Sequence, residues 1–184
     1  MKINEYIKKI KELGACGDAL QDALKYETSQ ELWDKCERGD WMLWLIGKTS
    51  GDSGSDKRKK LVLTACKCAR LALPFVKEGE LRPLKAIETA EQWARGENDV
   101  TLGQVRNAAY AAYAAYAANA AAYAAYAAYA ADAANAAAYA AYAAYAADAA
   151  ARKEILIKCA EIVRGDFPEV DQLFETLPEL SAAK

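Results

Sequence analysis

The chain of 184 residues contains no histidine. Histidine is the commonest general base, the usual partner of a serine or cysteine nucleophile, and the commonest metal ligand. The glycine-rich phosphate loop, the zinc-protease motif and the EF-hand motif are also absent from the sequence. These absences exclude most familiar hydrolases. We therefore expect a protein that binds without catalysis and has no catalytic residue, metal or cofactor.

The sequence also has little net charge. The formal charge is -2 at pH 7 and the pI is about 5.4, so general attraction to phosphate backbones or anionic lipid is missing. Residues 107–131 carry no charge, but they contain only Ala, Tyr and Asn, which gain little by entering hydrocarbon. We expect neither a nucleic-acid polymer nor a membrane among the partners.

Five cysteines and the first residues of the chain predict a cytoplasmic protein. The number of cysteines is odd, and the sequence MKINEYIKKIKELG lacks the apolar core of a secretory signal. Cys66 and Cys68 are two residues apart, which on a helix directs their side chains about 200° away from each other. They are therefore predicted to be small buried hydrophobic residues and not a metal site.

Helical periodicity and helix caps recur along the chain, and no alternating run bounded by turns indicates a strand. Thr28 to Glu31 and Thr101 to Gln104 are predicted capping boxes, and Asp40 is predicted to cap an apolar helix that is buried on every side. The expected fold is all-α, a compact multi-helix bundle without a sheet. A single helical domain, 1–184, is predicted in five parts: N-terminal helices 1–48, flexible linker 49–56, middle helices 57–103, Ala/Tyr-repeat helices 104–164, and a short C-terminal helix 165–184.

The repeat segment has a composition of its own. Residues 107–151 are all Ala, Tyr, Asn or Asp, and a 16-residue unit at 119–134 recurs identically at 135–150. Alanine has the highest helix propensity, so helix is expected throughout. A tyrosine at every third residue gives a stripe that winds around the helix, which favours shorter helices with breaks near 117–120 and 132–136 over one long rod.

Two charged clusters allow alternative interpretations. Glu31, Asp34 and Glu37 lie at a spacing of three, as a carboxylate or cation site requires, but a solvated helix face explains them as well. The basic run 57–60 either holds a phosphate or an acidic partner, or forms a solvated surface.

A binding site is expected where aromatic residues meet isolated cations. Tryptophans three apart on an apolar helix are typical of a core, but beside arginines they can stack and hydrogen-bond a planar anionic ligand. Arg106 is the last positive charge before Arg152, and it lies in the first turns of a helix, whose dipole favours an anion. The predicted ligand-binding residues are Asp40, Trp41, Trp44, Arg82, Arg106, Asn107 and Tyr110.

Several strings in order resemble an immunity protein family found in bacterial and phage genomes. They are RGDWMLWL at 38–45, ACKCARLALP at 65–74, KAIETAEQWARGE at 85–97, the Ala/Tyr run, and KCAEIVR at 158–164. The resemblance covers about residues 30 to 165. It implies a small cytoplasmic protein that protects its producer by binding a toxin without catalysis.

Three interpretations of function follow. The first is an immunity-type protein that binds a protein toxin or effector. The second, suggested by the occurrence of the family in phage genomes, is a counter-defence protein that sequesters a small anionic ligand such as a signalling nucleotide. The third is a structural helical scaffold. The sequence leaves open whether the protein is a homo-oligomer.

Overall fold

The computed structural model describes residues 1–52, 54–76, 78–113 and 149–175. Within these residues the fold is all-α, as predicted, and the one β-type contact is an isolated antiparallel bridge between Lys2 and Thr28. The predicted helix breaks near 117–120 and 132–136 lie outside the described residues. The described residues form eight α-helices: α1 (Ile3–Glu12), α2 (Gly17–Ala23), α3 (Ser29–Lys35), α4 (Gly39–Thr49), α5 (Asp56–Arg70), α6 (Arg82–Arg95), α7 (Leu102–Tyr113) and α8 (Ala149–Asp166). Two 3-10 helices, Leu73–Phe75 and Asp171–Phe174, complete the secondary structure of this part of the chain.

Helix α4 lies at the centre of the packing. It contacts α5 and α8, α5 also packs against α6 and α8, and α6 packs against α7. Met42, Leu43, Leu45 and Ile46 of α4 are all buried, but Trp41 and Trp44 are half-buried, so the prediction of a helix buried on every side holds only for the residues that face the core. One hydrophobic cluster joins residues from Tyr6 in α1 to Phe174 near the C-terminal end of the described chain.

Helices α4 and α8 cross with their backbones in close contact at Gly39. A Cβ atom on Gly39 would lie 2.5 Å from the Cβ of Cys159 and 2.7 Å from the backbone nitrogen of Ala160. Only glycine fits this crossing, because those two atoms belong to a packed helix that cannot move aside cheaply. The contact fixes the distance between α4 and α8, and these two helices also form opposite sides of a cleft.

Local sequence signals set several helix ends. The hydroxyl of Thr28 accepts a hydrogen bond from the backbone of Glu31 at 3.1 Å, so the first predicted capping interaction forms. In the second, the Thr101 hydroxyl accepts from the Gln104 backbone at 3.3 Å and the Gln104 side chain accepts from the Thr101 backbone at 2.8 Å. Gly96 ends α6 with a φ of 70°, in the left-handed region.

The prediction that Asp40 caps α4 is wrong. The N-cap residue is Arg38, two residues before the predicted cap, and it makes no side-chain capping bond. The helix itself begins at Gly39. Asp40 lies in the first turn and bonds the guanidinium of Arg38 instead. Bonded to Arg38 in this way, the Asp40 carboxylate does not cap the end of the helix.

The basic run at the start of α5 is more than a solvated face. The Lys57 amine donates to the backbone oxygen of Leu173 at 2.8 Å, and the Lys60 amine lies 4.7 Å from the centre of the Phe167 ring. Arg58 is buried. Lys57 and Lys60 thus contact the segment after α8, in which a 3-10 helix spans Asp171–Phe174, within the predicted short C-terminal helix 165–184.

Four of the five cysteines, Cys36, Cys66, Cys68 and Cys159, are buried, and Cys16 is exposed. Cys66 donates to the backbone oxygen of Ile87 in α6, whereas Cys68 lies against Cys159 in α8. The two side chains therefore point to different helices, as the two-residue spacing predicts. Burial raises the pKa of Cys36 to about 11 and that of Cys66 still further.

Candidate binding cleft beside Trp41

The residues predicted for the site fall on separate parts of the fold. Asp40, Trp41 and Trp44 occupy the first two turns of α4. Trp41 lines both a cleft and a smaller cavity behind it, and Trp44 lines the smaller cavity. Asp40 does not line the cleft itself but binds Arg38, which does.

The remaining predicted residues lie on α6 and α7. Arg82 is exposed and its guanidinium pairs with Glu80, two residues before it. Arg106 is half-buried and Asn107 is exposed, and the side chain of Tyr110 lies outside the described residues. None of Arg82, Arg106 and Asn107 is among the described residues that line the two cavities. A ligand site at the start of α7 therefore stays a prediction.

The cleft has a volume of about 530 Å³, which lies within the usual range for small-molecule pockets, about 300 to 1,000 Å³. It opens between the end of α2, helix α3, the start of α4 and the middle of α8. Its lining residues are Asp22, Tyr26, Lys35, Glu37, Arg38, Trp41, Lys153 and Leu156. Aromatic and aliphatic surface is thus surrounded by charges of both signs.

An arginine stacked on a tryptophan forms one wall of the cleft. The guanidinium carbon of Arg38 lies 4.1 Å from the centre of the Trp41 ring, well within the distance of a cation–π contact. Asp40 holds the guanidinium in place by accepting from its Nε at 2.8 Å and from its Nη2. The hydrogen bond to Asp40 raises the pKa of Arg38, so the arginine is charged at neutral pH.

The charges around the cleft are paired. The Lys35 amine lies 2.7 Å from Glu31, and the Lys25 amine lies 2.6 Å from Asp22. Across the cleft, Lys153 of α8 lies 3.8 Å from Glu37 in the loop before α4. Exposed pairs of this kind contribute little stability, at most about 1 kcal/mol each. Because each cation is paired with a carboxylate, the rim of the cleft has no strong surplus of positive or negative charge.

These contacts also resolve the two interpretations of Glu31, Asp34 and Glu37. Glu31 and Glu37 face lysines, and Asp34 accepts from the side-chain amide of Gln30 at 2.8 Å. In this part of the chain the carboxylates belong to a paired, solvated helix face and do not converge on one another.

The smaller cavity lies behind Trp41 and has a volume of about 30 Å³, room for about one water molecule. Its lining is mostly apolar and includes Tyr6, Ile10, Trp33 and Trp44. The indole nitrogen of Trp33 donates to the backbone oxygen of Phe167 at 2.8 Å, so this tryptophan is held as a core residue. Trp41 separates the two cavities and is the aromatic ring that a ligand in the cleft would meet.

Two weakly acidic groups in the cavities beside Trp41, the thiol of Cys36 and the phenol of Tyr26, keep their protons at neutral pH. The thiol of Cys36, which lines the smaller cavity, is buried, and burial raises its pKa to about 11, so it is not a thiolate at neutral pH. Burial, followed by the charge of Asp22, raises the pKa of Tyr26, which therefore keeps its proton. Fixed cations, paired carboxylates and neutral aromatic groups can recognise a partner by shape and charge.

Of the eight described residues that line this cleft, the predicted site contained one, Trp41. Arg38 and Trp41 are three residues apart, so their stack could have been inferred from helical spacing once the helix start was known. Lys153 and Leu156 carried no such signal, because they approach Trp41 only through the packing of α8 on α4.

No protein-family model, curated protein or solved structure matches the chain. In the part of the chain that the structure describes, no helix is long and apolar enough to cross a membrane. The fold and the cleft define an all-α protein with a cleft lined by aromatic and charged side chains.

Proposed function

We propose that this is a non-catalytic binding protein of the immunity type, which neutralises a protein toxin or effector in the cytoplasm by docking it on the cleft beside Trp41. The resemblance of residues 30 to 165 to an immunity protein family suggests the class of partner. The cleft suggests where the partner binds and which kinds of side chain it presents there.

The observation that carries the proposal is the Arg38–Trp41 stack at the edge of a cleft with a charged rim. Tryptophan, tyrosine and arginine are the residues most enriched among those that dominate the energy of protein interfaces. Such residues are effective when they lie in a cleft surrounded by polar groups that exclude water. Trp41, Tyr26 and Arg38 have this arrangement, with Lys35, Glu37, Lys153 and Asp22 around them.

The charge pattern favours a protein partner over a simple anion. A site built for an anion concentrates cations, whereas each cation here has a carboxylate partner. A partner protein can exchange these pairs for its own charges at the rim, which adds specificity more than affinity. We expect a partner that inserts an apolar or aromatic side chain against Trp41 and places charges of both signs around it.

The volume of the cleft supports a second candidate function. About 530 Å³ would hold a small planar anionic ligand such as a signalling nucleotide, with the base against Trp41 and the phosphate near Arg38 or Lys153. In that case the protein would act in counter-defence by sequestering the ligand.

Two steps test the proposal. First, tagged wild-type protein and a Trp41→Ala variant are purified from the producing cells, and co-purifying proteins and released small molecules are quantified by mass spectrometry. Second, a protein that the wild type retains and the variant loses is expressed alone and together with each form. The proposal requires that this protein arrests growth and that only the wild type restores it.

Leu81→Ala provides the control for this experiment, because Leu81 is a large apolar side chain that is 56% exposed and lies outside the cleft. The Leu81→Ala variant should retain the partner protein and should restore growth as wild type does. A partner held equally by Trp41→Ala would contradict the proposed site. A nucleotide released from wild type but not from Trp41→Ala, with no protein retained, would support the second function and contradict the first.

A further inference from the structure

The first turn of α5 contains a buried arginine that is incompletely hydrogen-bonded. Arg58 is only 7% exposed. Its Nη2 donates to the backbone oxygen of Gly51 at 2.9 Å. Its Nε and Nη1 are shielded from solvent and have no hydrogen-bond partner in the described part of the chain, where Arg58 also forms no ion pair.

A buried charge in this state is costly. Burial lowers the pKa of Arg58, but an arginine starts from 12.5 and keeps its proton at neutral pH. Buried charges in proteins are normally paired and fully hydrogen-bonded, because neither water nor the apolar core replaces the lost hydration. The two nitrogens without a partner therefore indicate a missing acceptor. A negatively charged acceptor would offset most of the cost of burying the Arg58 charge.

The surroundings of Arg58 favour an anion. Helix α5 has 15 residues, and its N-terminal end carries the positive end of the helix dipole. Residues 52–60 contain four cations and two carboxylates, so the turn has a local surplus of positive charge. In a first helical turn such a surplus is unfavourable unless an anion balances it.

The preceding loop lies directly against the guanidinium. The hydroxyl of Ser55 accepts from the backbone of Arg58 at 3.1 Å and donates to the backbone oxygen of Ser50 at 2.6 Å, which folds the loop back onto the helix end. Gly51, Asp52 and Gly54 are exposed. Because Gly51 is exposed, an oxyanion at this surface could take the place of its backbone oxygen as the acceptor of Arg58 Nη2.

We propose that Arg58 and the first turn of α5 form a binding site for a small oxyanion, either free phosphate or the phosphate group of a monoester. The flat guanidinium fork suits the spacing of phosphate oxygens, and the open nitrogens supply the donors. The site lies on a different part of the sequence from the cleft beside Trp41 and does not depend on the function proposed for that cleft.

Thermal unfolding of the full chain tests this site. Wild type is dialysed into a chloride buffer and titrated with inorganic phosphate, and in a second arm with adenosine monophosphate, with sodium chloride added to match the ionic strength. We expect a saturable rise in Tm, about 5 to 10 °C at a concentration about 100 times Kd. A larger rise with phosphate assigns the site to the free ion, and a larger rise with the nucleotide assigns it to a monoester.

Arg58→Met keeps the length of the side chain and removes the charge. We expect it to lose the phosphate response and, without phosphate, to melt at or above the Tm of wild type, because it no longer buries an uncompensated cation. Arg95→Met, which changes an exposed arginine of α6, is the matched control and should respond like wild type. If Arg58→Met does not fold, isothermal titration of wild type with phosphate decides whether a saturable site exists.

Three results would overturn the proposal. The first is a wild type without a saturable response in melting or calorimetry. The second is a response that Arg58→Met retains, which would mean an adventitious ion only. The third is a folded Arg58→Met that melts well below wild type in phosphate-free buffer, which would make Arg58 a structural residue satisfied within the protein.

Discussion

Gly39 of α4 faces Cys159 of α8 at a distance that leaves no room for a side chain, since an added Cβ would lie 2.5 Å from the Cβ of Cys159. The two helices that meet at this point carry opposite sides of the cleft: Trp41 follows Gly39 in α4, and Leu156 precedes Cys159 in α8. The geometry of the cleft thus depends on a close backbone contact.

This contact predicts a large effect of a single methyl group. Gly39→Ala should destabilise the protein by about 1 to 3 kcal/mol, the usual cost of overpacking a core. Gly103→Ala is the control, because an added Cβ there would lie 3.8 Å from the Thr101 hydroxyl, an ordinary contact, in a helix that favours alanine. Urea denaturation of the two variants measures the difference, and equal midpoints would show that α8 does not pack on α4 at Gly39.

Asp166 predicts a pH dependence of stability. Burial alone would raise its pKa, but hydrogen bonds from Lys67 at 2.7 Å and Thr64 at 2.7 Å outweigh burial and leave the pKa below the ordinary value of 3.8. A carboxylate whose folded pKa is lowered contributes stability above its unfolded pKa, and that contribution is lost as pH falls through the folded pKa.

Asp166→Asn should therefore cost about 1 to 2 kcal/mol at pH 7 and progressively less below about pH 4. Urea melts of wild type and variant between pH 2.5 and 7 measure this convergence. Glu161→Gln, which changes an exposed carboxylate of the same helix, serves as the control. A cost that stays constant over the whole range would assign the effect to packing and not to charge.

The burial of the cysteines predicts their reactivity. One thiol, Cys16, is exposed, and four are buried. Because a thiol reacts as its thiolate and burial raises the pKa of Cys36 to about 11, we expect a disulfide reagent to modify one thiol quickly in native protein and all five only after unfolding. Rapid modification of Cys68 or Cys159, located by peptide mass spectrometry, would show that α5 and α8 are not packed as described.

The sequence predicted the features that depend on near neighbours. The capping interactions of Thr28 and Thr101 were correctly inferred because each involves residues within one turn. The cap at Asp40 was wrongly predicted: the Asp40 carboxylate bonds the guanidinium of Arg38, and α4 already begins at Gly39, which packs on the distant helix α8.

The cleft shows that contacts between distant parts of the chain could not be predicted from the sequence. Trp41 was identified by its aromatic neighbours, but Arg38 was taken only as part of a family string and Lys153 was not considered. Long-range packing of α8 on α4 brings Lys153 to the cleft, and neither spacing nor composition encodes that contact. For the same reason, the sequence joined Trp41 and Arg82 in one site, although Arg82 is paired locally with Glu80.

The stack of Arg38 on Trp41 predicts how the partner is held. Arg38→Lys keeps the charge but cannot form the two-pronged bond to Asp40 or the flat contact with the indole. We expect it to weaken partner binding by about 1 to 2 kcal/mol, mainly through faster dissociation. Surface plasmon resonance separates the two rates, and Arg95→Lys in α6 is the control. A change confined to the association rate would assign Arg38 a role in electrostatic steering alone.

The dissociation constant of the partner protein for wild type and for Trp41→Ala, measured by isothermal titration calorimetry, tests the central claim most directly. If Trp41 is a dominant residue of the interface, its removal should cost at least about 2 kcal/mol, a loss of affinity of about 30-fold or more, while Leu81→Ala binds like wild type. Circular dichroism must first show that Trp41→Ala retains the helical fold. Equal dissociation constants for wild type and a folded Trp41→Ala would contradict the assignment of the cleft as the binding site.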